Sequence, residues 1–312
     1  MSEREMTDLV LCIITFRRPE GLARLLQATG RLVLPPGVRL SLVIVDNDPD
    51  ATARSVVEAA ALDHPLRYEI EPRRGISSAR NRALRLALGC GPQFIAWMDD
   101  DEHPAPDWLC NVFETQNLTG ADVVMGPGVP CFEAGTPQWI EKSGLFDHDR
   151  FETGDTFPYF HTRTSGVLVR AAMVPAEGFD ERLALTGGED RLFFTRIHRS
   201  GGRFVWDDRA VMHEDIPPSR ATSRWLLRRW YRTGVTRSLV MIYLDRPGVL
   251  RRGRRCLGAL AMVGQGVVRT LLGLHRGRTE VLRRWRLVML GLGAFAGALG
   301  IHYEEYRTVH GS

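Results

Sequence analysis

Phe94-Ile95-Ala96-Trp97-Met98 runs without a break into Asp99-Asp100-Asp101-Glu102. Five apolar residues led by Phe, Ile and Trp read as a buried strand. Four consecutive carboxylates cannot follow it into a core, because an ionised carboxylate without a partner is costly to bury. The strand must therefore end in an open, wet place where positive charge compensates the acids. A divalent cation such as Mg2+ or Mn2+, which takes oxygen ligands, is the simplest source. A solvated acidic turn is the plainer alternative. Open α/β sheets bind ligands beyond the carboxyl ends of their strands, so this stretch points to both a fold class and the place of a site.

The residues before it alternate in kind. Residues 9–15 (LVLCIIT) and 40–45 are continuous apolar runs, as expected of strands buried on both faces. Residues 67–70 (RYEI) read as a third, shorter strand. Between them, Pro19 with Leu22, Leu25 and Leu26 predicts one helix. Residues 51–62 predict a second, and residues 77–88 a third with Ser77 or Ser78 as N-cap. This β-α-β-α-β-α-β order implies a doubly wound, mainly parallel α/β sheet. Its polar strand ends, Thr15-Phe16-Arg17, Asp46, Arg73-Arg74 and residues 99–102, gather on one edge. An aromatic ring, carboxylates and arginines on one crevice suit a nucleoside diphosphate. Neither G-x-G-x-x-G after the first strand nor G-x-x-x-x-G-K-[ST] occurs, which disfavours dinucleotide and P-loop sites.

After residue 102 the pattern loosens. A short helix is expected through Trp108 and Val112, and strands at 121–125, 165–169 and 203–206. Residues 126–162 read as long loops of the kind that form lids. A helix over 191–200 follows Gly187-Gly188-Glu189-Asp190.

The five cysteines are scattered without C-x-x-C spacing, which argues against a zinc site or a disulfide framework and fits a reducing compartment. Residues 1–8 lack the apolar core of a secretory leader, so a cytoplasmic protein is expected. The net charge of +4 hides an asymmetry. Residues 1–218 are net −10 and residues 219–286 net +15. An acidic body with a basic, apolar-rich tail points to an anionic membrane face or nucleic acid. The tail forms no recognised nucleic-acid module, so nucleic acid is the weaker reading. Residues 287–301 are an unbroken apolar and glycine run, shorter than the ~20 residues needed to cross a bilayer. They fit a segment lying in the membrane interface, or an ordinary packed helix.

Six pieces stand in one order: Ile13 to Pro19, Val45-Asp46-Asn47, Gly75 through Ala79-Arg80-Asn81, Met98 to Glu102, Gly188-Glu189-Asp190, and Arg229-Trp230 before Gly234. In that order they resemble family 2 glycosyltransferases of the GT-A fold, over roughly residues 6–235, and among them bacterial enzymes of exopolysaccharide assembly such as succinoglycan transferases. The resemblance implies a catalytic domain over 6–218, with a nucleotide-binding half (6–102) and an acceptor-binding half (103–218), followed by a helical, membrane-associating extension over 219–312. It implies metal-dependent, inverting transfer from a nucleotide sugar to a lipid-linked or oligosaccharide acceptor.

On that resemblance Phe16, after Thr15, stacks on the base, although an aromatic there also suits a core. Asp46 accepts hydrogen bonds from base or ribose; an Asx turn before Pro49 is the alternative. Arg80 adds a contact to the phosphates, where a surface arginine on a helix is the plainer reading. Asp101 is the metal ligand, with Asp99 nearer the ribose and the metal. Asp190 is the general base, with Glu189 holding the acceptor or acting as base itself; an N-cap is the alternative for Asp190. His213 completes the metal site, unless it is simply structural. Arg229 touches the diphosphate. The glutamine that precedes Arg-Trp in processive members is replaced here by Leu226, which argues against processivity. A sugar-phosphate nucleotidyltransferase and a non-catalytic membrane scaffold are the competing functions. The first needs no base facing an acceptor, and the second leaves the ordered acids unexplained.

Overall fold

The computed structural model describes residues 6–303; positions 304–312 of the expected extension lie outside the described residues. Four parallel strands, β1 (Thr7–Thr15), β2 (Val38–Asp46), β3 (Leu66–Ile70) and β4 (Phe94–Asp99), are connected by α1 (Pro19–Thr29), α2 (Arg54–Ala59) and α3 (Ile76–Leu88). The chain then forms β5 (Glu102–Pro104), α4 (Trp108–Thr119), β6 (Val123–Met125), β7 (Gly128–Phe132) and the single turn α5 (Gln138–Glu141). It continues through β8 (Val167–Arg170), α6 (Glu189–Arg199), β9 (Phe204–Trp206) and β10 (Met212–Ile216). The main sheet has the order β3-β2-β1-β4-β8-β6-β9, with β8 alone antiparallel to its neighbours. A small second sheet, β5-β10-β7, stands beyond the end of β4.

Two-sided burial explains the unbroken apolar runs. Leu9, Leu11 and Ile13 of β1 pack with α1 and α4 on one face, while Val10 and Cys12 pack with α3 and α6 on the other. The same alternation runs along β4: Phe94, Ala96 and Met98 belong to the first face, Ile95 and Trp97 to the second. The mainly parallel sheet expected from the sequence is therefore present. Several details differ. The second helix spans only Arg54–Ala59. α3 is capped not by Ser77 or Ser78 but by Gly75 at φ 138°, while the Ser77 hydroxyl donates to the Asp180 carbonyl at 2.9 Å. The loops expected over 126–162 contain β7 and α5.

Three helices complete the described residues: α7 (Ser223–Asp245), α8 (Val249–Leu271) and α9 (Arg278–Ala298). α7 lies on the body, its Leu226 and Trp230 against Ile140 and Phe146, its Val235 and Leu239 against Leu183 and Leu192. The apolar run at 287–301 supplies the second half of α9, which packs against both α7 and α8. Glycines permit this on both sides. A Cβ on Gly293 would meet the Tyr231 carbonyl oxygen of α7 at 1.9 Å, and one on Gly291 the Ala259 carbonyl oxygen of α8 at 2.9 Å. Among the described residues no helix is long and apolar enough to cross a membrane.

Gly293→Ala should therefore force α7 and α9 apart, costing ~1–3 kcal/mol of overpacking and lowering the thermal midpoint. Gly258→Ala, in α8 with open space around it, should gain ~1 kcal/mol of helix propensity and raise the midpoint. Equal melting curves for the two variants would contradict this packing.

Candidate active site

The register fixes the site. Thr15 pairs with Asp46 and Ile14 with Asp99, so three strand ends lie abreast where the main sheet stops. The second sheet and the first turns of α7 rise opposite them, leaving a cleft of about 350 Å³. Thr15, Phe16, Asp99, Asp101, Asp190 and Arg229 all line it.

The acidic turn forms its floor. The Asp99 side chain is 32% exposed and takes the Arg80 guanidinium on Oδ1 at 3.0 Å. Loss of water raises its pKa, and so do the charges of Asp101 and Asp190, against the pull of Arg80. Asp100 is buried and accepts from the Thr15 hydroxyl at 2.8 Å and from Arg18 at 3.1 Å; burial pushes its pKa up to about 6. Asp101 receives Arg220 at 2.7 Å and Arg18 at 3.1 Å, both on Oδ2. Glu102 is buried, and desolvation raises its pKa well above normal, with Arg163 the main opposing charge.

Asp190 enters from the other side. Gly187 and Gly188 take φ of 76° and 90°, a left-handed bend closed to most side chains, and a Cβ on Gly188 would press Thr236 of α7 at 2.9 Å. This bend starts α6 at Glu189, with Gly188 as N-cap, so Asp190 sits in the first turn rather than at the cap. The Asp190 carboxylate accepts the Arg191 N–H at 2.6 Å. Glu189 points the other way: it is 2% exposed and ion-paired with Arg80, and burial raises its pKa. Arg80, 3% exposed, thus joins Asp99 to Glu189 behind the cleft wall.

Besides Arg80 and Glu189, three more expected residues lie off the cleft lining. Asp46 is fully buried and accepts from the Asp48 N–H (2.9 Å), the Ala53 N–H (3.0 Å) and the Tyr68 hydroxyl (2.9 Å), which organises the turn after β2. Arg17 adopts φ 54° and turns its guanidinium to Asp48 and Asp50. His213 stacks on His103 with centroids 5.1 Å apart, and its Nδ1 is 3.6 Å from the Cys131 sulfur. Its neighbour Glu214 faces the cleft instead.

The strand-end acids suit a hard cation in part. Among the described residues no three His, Cys, Asp or Glu side chains are grouped to hold a metal ion. Mg2+ commonly takes one or two carboxylates and completes its shell with substrate phosphates and water. Asp99 and Asp101 supply such a pair, with Arg80 on the first and Arg18 and Arg220 on the second in its place. His213 does not fit.

Sequence reasoning named Arg229 but missed the rest of a basic wall. Arg163, Arg229, Arg232 and His148 line the cleft opposite the strand ends. Arg229 lies 5.1 Å over the Trp225 ring, and burial lowers its pKa. Glu214 stands among these groups, and the His148 hydrogen bond at 3.3 Å, with the charges of Arg229 and Arg163, holds its pKa down to about 2 despite burial. Arg163 and His148 come from irregular segments without periodicity, so nothing local marked them. Asn47 carried a signal, standing beside Asp46 in a quoted piece. Its amide donates to the Glu71 and Arg73 carbonyls at 2.8 and 2.9 Å and accepts the Gly75 N–H at 2.8 Å, clamping the loop that carries Arg74 to the cleft. Phe16 lies beneath that loop, with the Arg74 guanidinium 5.2 Å from its ring centroid.

Known proteins resemble this chain in sequence and fold. Residues 10–173 match the family model described as glycosyl transferase family 2. The chain is 34% identical over 305 residues to the succinoglycan biosynthesis protein ExoM of Rhizobium meliloti (strain 1021), covering 96% of this chain and 95% of ExoM. Its fold resembles the mannosyltransferase PcManGT from Pyrobaculum calidifontis, solved with GDP-Man and Mn2+, at TM-score 0.62, 16% identity and coverage of 93% and 86%. It also resembles S. aureus TarS solved with UDP, at TM-score 0.54, 14% identity and coverage of 96% and 93%. The sheet is accordingly of the GT-A kind, and the chain belongs to glycosyl transferase family 2.

Proposed function

We propose that this protein transfers a sugar, with inversion, from a nucleoside-diphosphate sugar to a hydroxyl of a saccharide acceptor carried on a lipid, in surface polysaccharide synthesis. The observation that carries the reading is one cleft shared by Asp99 and Asp101 at the end of β4 and Asp190 at the start of α6. Residues 6–102 would serve the donor and residues 103–218 the acceptor, with 219–312 as the attachment to the inner face of the cytoplasmic membrane. ExoM is a succinoglycan biosynthesis protein, which supports the polysaccharide assignment, and the nucleotide complexes of the two structural neighbours support a nucleotide-sugar donor.

The base would lie against Phe16, whose ring already carries a cation above it in Arg74. Asp99 and Asp101 would hold a divalent cation, which when bound would neutralise charge on the departing diphosphate. Arg229 faces the same space and would balance that charge further. Asp190 would take the proton of the acceptor hydroxyl as its oxygen attacks the anomeric carbon. The bond from that carbon to the diphosphate oxygen breaks on the opposite side, the electron pair leaves with the nucleoside diphosphate, and the configuration inverts. Asp190 is favoured over Glu189 as base because Glu189 is buried behind the wall on Arg80. Glu189 and Arg80 are then positioning residues for the start of α6 and for Asp99.

Asp190→Asn should retain donor binding and lose turnover by ~10²-fold or more, measured as nucleoside diphosphate release at saturating donor. Persistent turnover there, together with loss in Glu189→Gln, would move the base to Glu189. Asp101→Asn should abolish the response of turnover to added Mg2+ or Mn2+ without lowering the thermal midpoint. Full activity of the wild-type protein in excess chelator would contradict a metal role.

A further inference from the structure

The membrane reading rests on the charge of residues 219–286 with residues 287–301 as its apolar part, yet α9 spends the glycines of that run on packing. Most of the exposed apolar surface lies on its neighbour. Of eighteen large apolar side chains exposed among the described residues, thirteen fall at or after Val249. Those of α8 share one stripe: at 3.6 residues per turn, Leu250, Leu257, Leu260, Val267, Val268 and Leu271 fall within an arc of the helix. Each is between 41% and 87% exposed. The opposite side carries Ala259, Gly266 and Thr270, which are buried, and Gly266 presses Val288 of α9. Around Gly253, Gly258 and Gly264 nothing lies within 4 Å of where a Cβ would stand. The stripe is therefore an unpartnered outer face of the described residues.

Its border is basic. Arg251, Arg254 and Arg269 flank the stripe along one side and are exposed. No Asp or Glu occurs between Asp245 and Glu280. A second copy of α8 would bring no carboxylate to meet those arginines, whereas anionic lipid headgroups would. An apolar stripe edged by arginines on a helix too polar to span is the pattern of a helix lying in the bilayer interface.

We propose that the outward face of α8 is the surface by which this protein seats itself on an anionic bilayer. The inference rests on the membrane attachment proposed above and assigns it to one helix face. α9 then acts as the bracket between the seated helix and α7, and α7 brings Arg229 and Arg232 to the catalytic cleft. One helix pair thus links the membrane to the cleft wall.

Flotation of the full-length protein with vesicles tests this. One set contains equal parts phosphatidylcholine and phosphatidylglycerol, the other phosphatidylcholine alone. The wild-type protein should float with the anionic set and bind the neutral set roughly tenfold less or weaker. The triple variant Leu257→Glu, Leu260→Glu, Val267→Glu should lose flotation while keeping its nucleotide-sugar hydrolysis rate and its elution volume. Arg251→Ser with Arg254→Ser keeps the apolar stripe and should reduce only the preference for anionic vesicles. Leu118→Glu, at an exposed leucine of α4, should float like wild type. If wild type and triple variant float alike, membrane attachment stands and the α8 assignment falls. If wild type floats with neither set, both readings fall. A wild-type dimer that the triple variant converts to a monomer, without flotation of either, would make this face a contact between copies and overturn the proposal.

Discussion

The buried guanidinium of Arg80 is the interaction on which the site depends. It reaches Asp99 at the end of β4 with one arm and Glu189 at the start of α6 with the other. These two segments are distant in sequence and come from opposite sides of the cleft. Arg80 and Glu189 are almost fully buried, so removing Arg80 strips the buried Glu189 of its ion-pair partner, at a cost of ~3–5 kcal/mol. The same contact sets the direction of the neighbouring side chain. With Glu189 turned inward on Arg80, Asp190 faces the cleft. Asn47 plays the matching part on the side of the cleft formed by β2, where its amide fixes the loop of residues 71–75.

Charge is sorted within the cleft. The floor is acidic, and its pKa values are raised wherever water is excluded and carboxylates crowd. The opposite wall is basic, and burial lowers Arg229. Such an arrangement leaves space for a ligand that carries both a diphosphate and the cation that accompanies it. It also shows where part of the +15 of residues 219–286 goes. Arg220, Arg229 and Arg232 turn into the cleft, and Arg220 holds Asp101. Other arginines flank the outer face of α8. What reads in sequence as one basic tail is divided between a catalytic wall and an exposed helix.

Much of the fold was legible because two-sided burial leaves a plain trace: apolar runs that stop at polar residues. The acidic stretch at 99–102 was legible for the complementary reason, since four carboxylates exclude a core. Legibility ended where one residue type serves two purposes. Asp46 at a strand end suits a ligand or an Asx turn, and here its oxygens are taken by the turn. His213 and Glu214 are adjacent on a strand, so only one can face the cleft, and the sequence does not say which. The run at 287–301 is apolar enough for an interface and glycine-rich enough for tight helix packing. Hydropathy does not separate these, and contacts with Tyr231 and Ala259 do. Arg163 and His148 left no trace, because irregular segments bring them to the cleft from far along the chain.

The stereochemistry of donor hydrolysis tests the central claim most directly, because water can replace the unidentified acceptor hydroxyl. The wild-type protein would be given nucleoside-diphosphate sugars of known anomeric configuration, and the first-formed free sugar followed by proton NMR before it mutarotates. In-line attack assisted by a single base predicts nucleoside diphosphate together with the sugar in the opposite anomeric configuration. A first-formed sugar of retained configuration, or release of nucleoside monophosphate or pyrophosphate, would contradict the account.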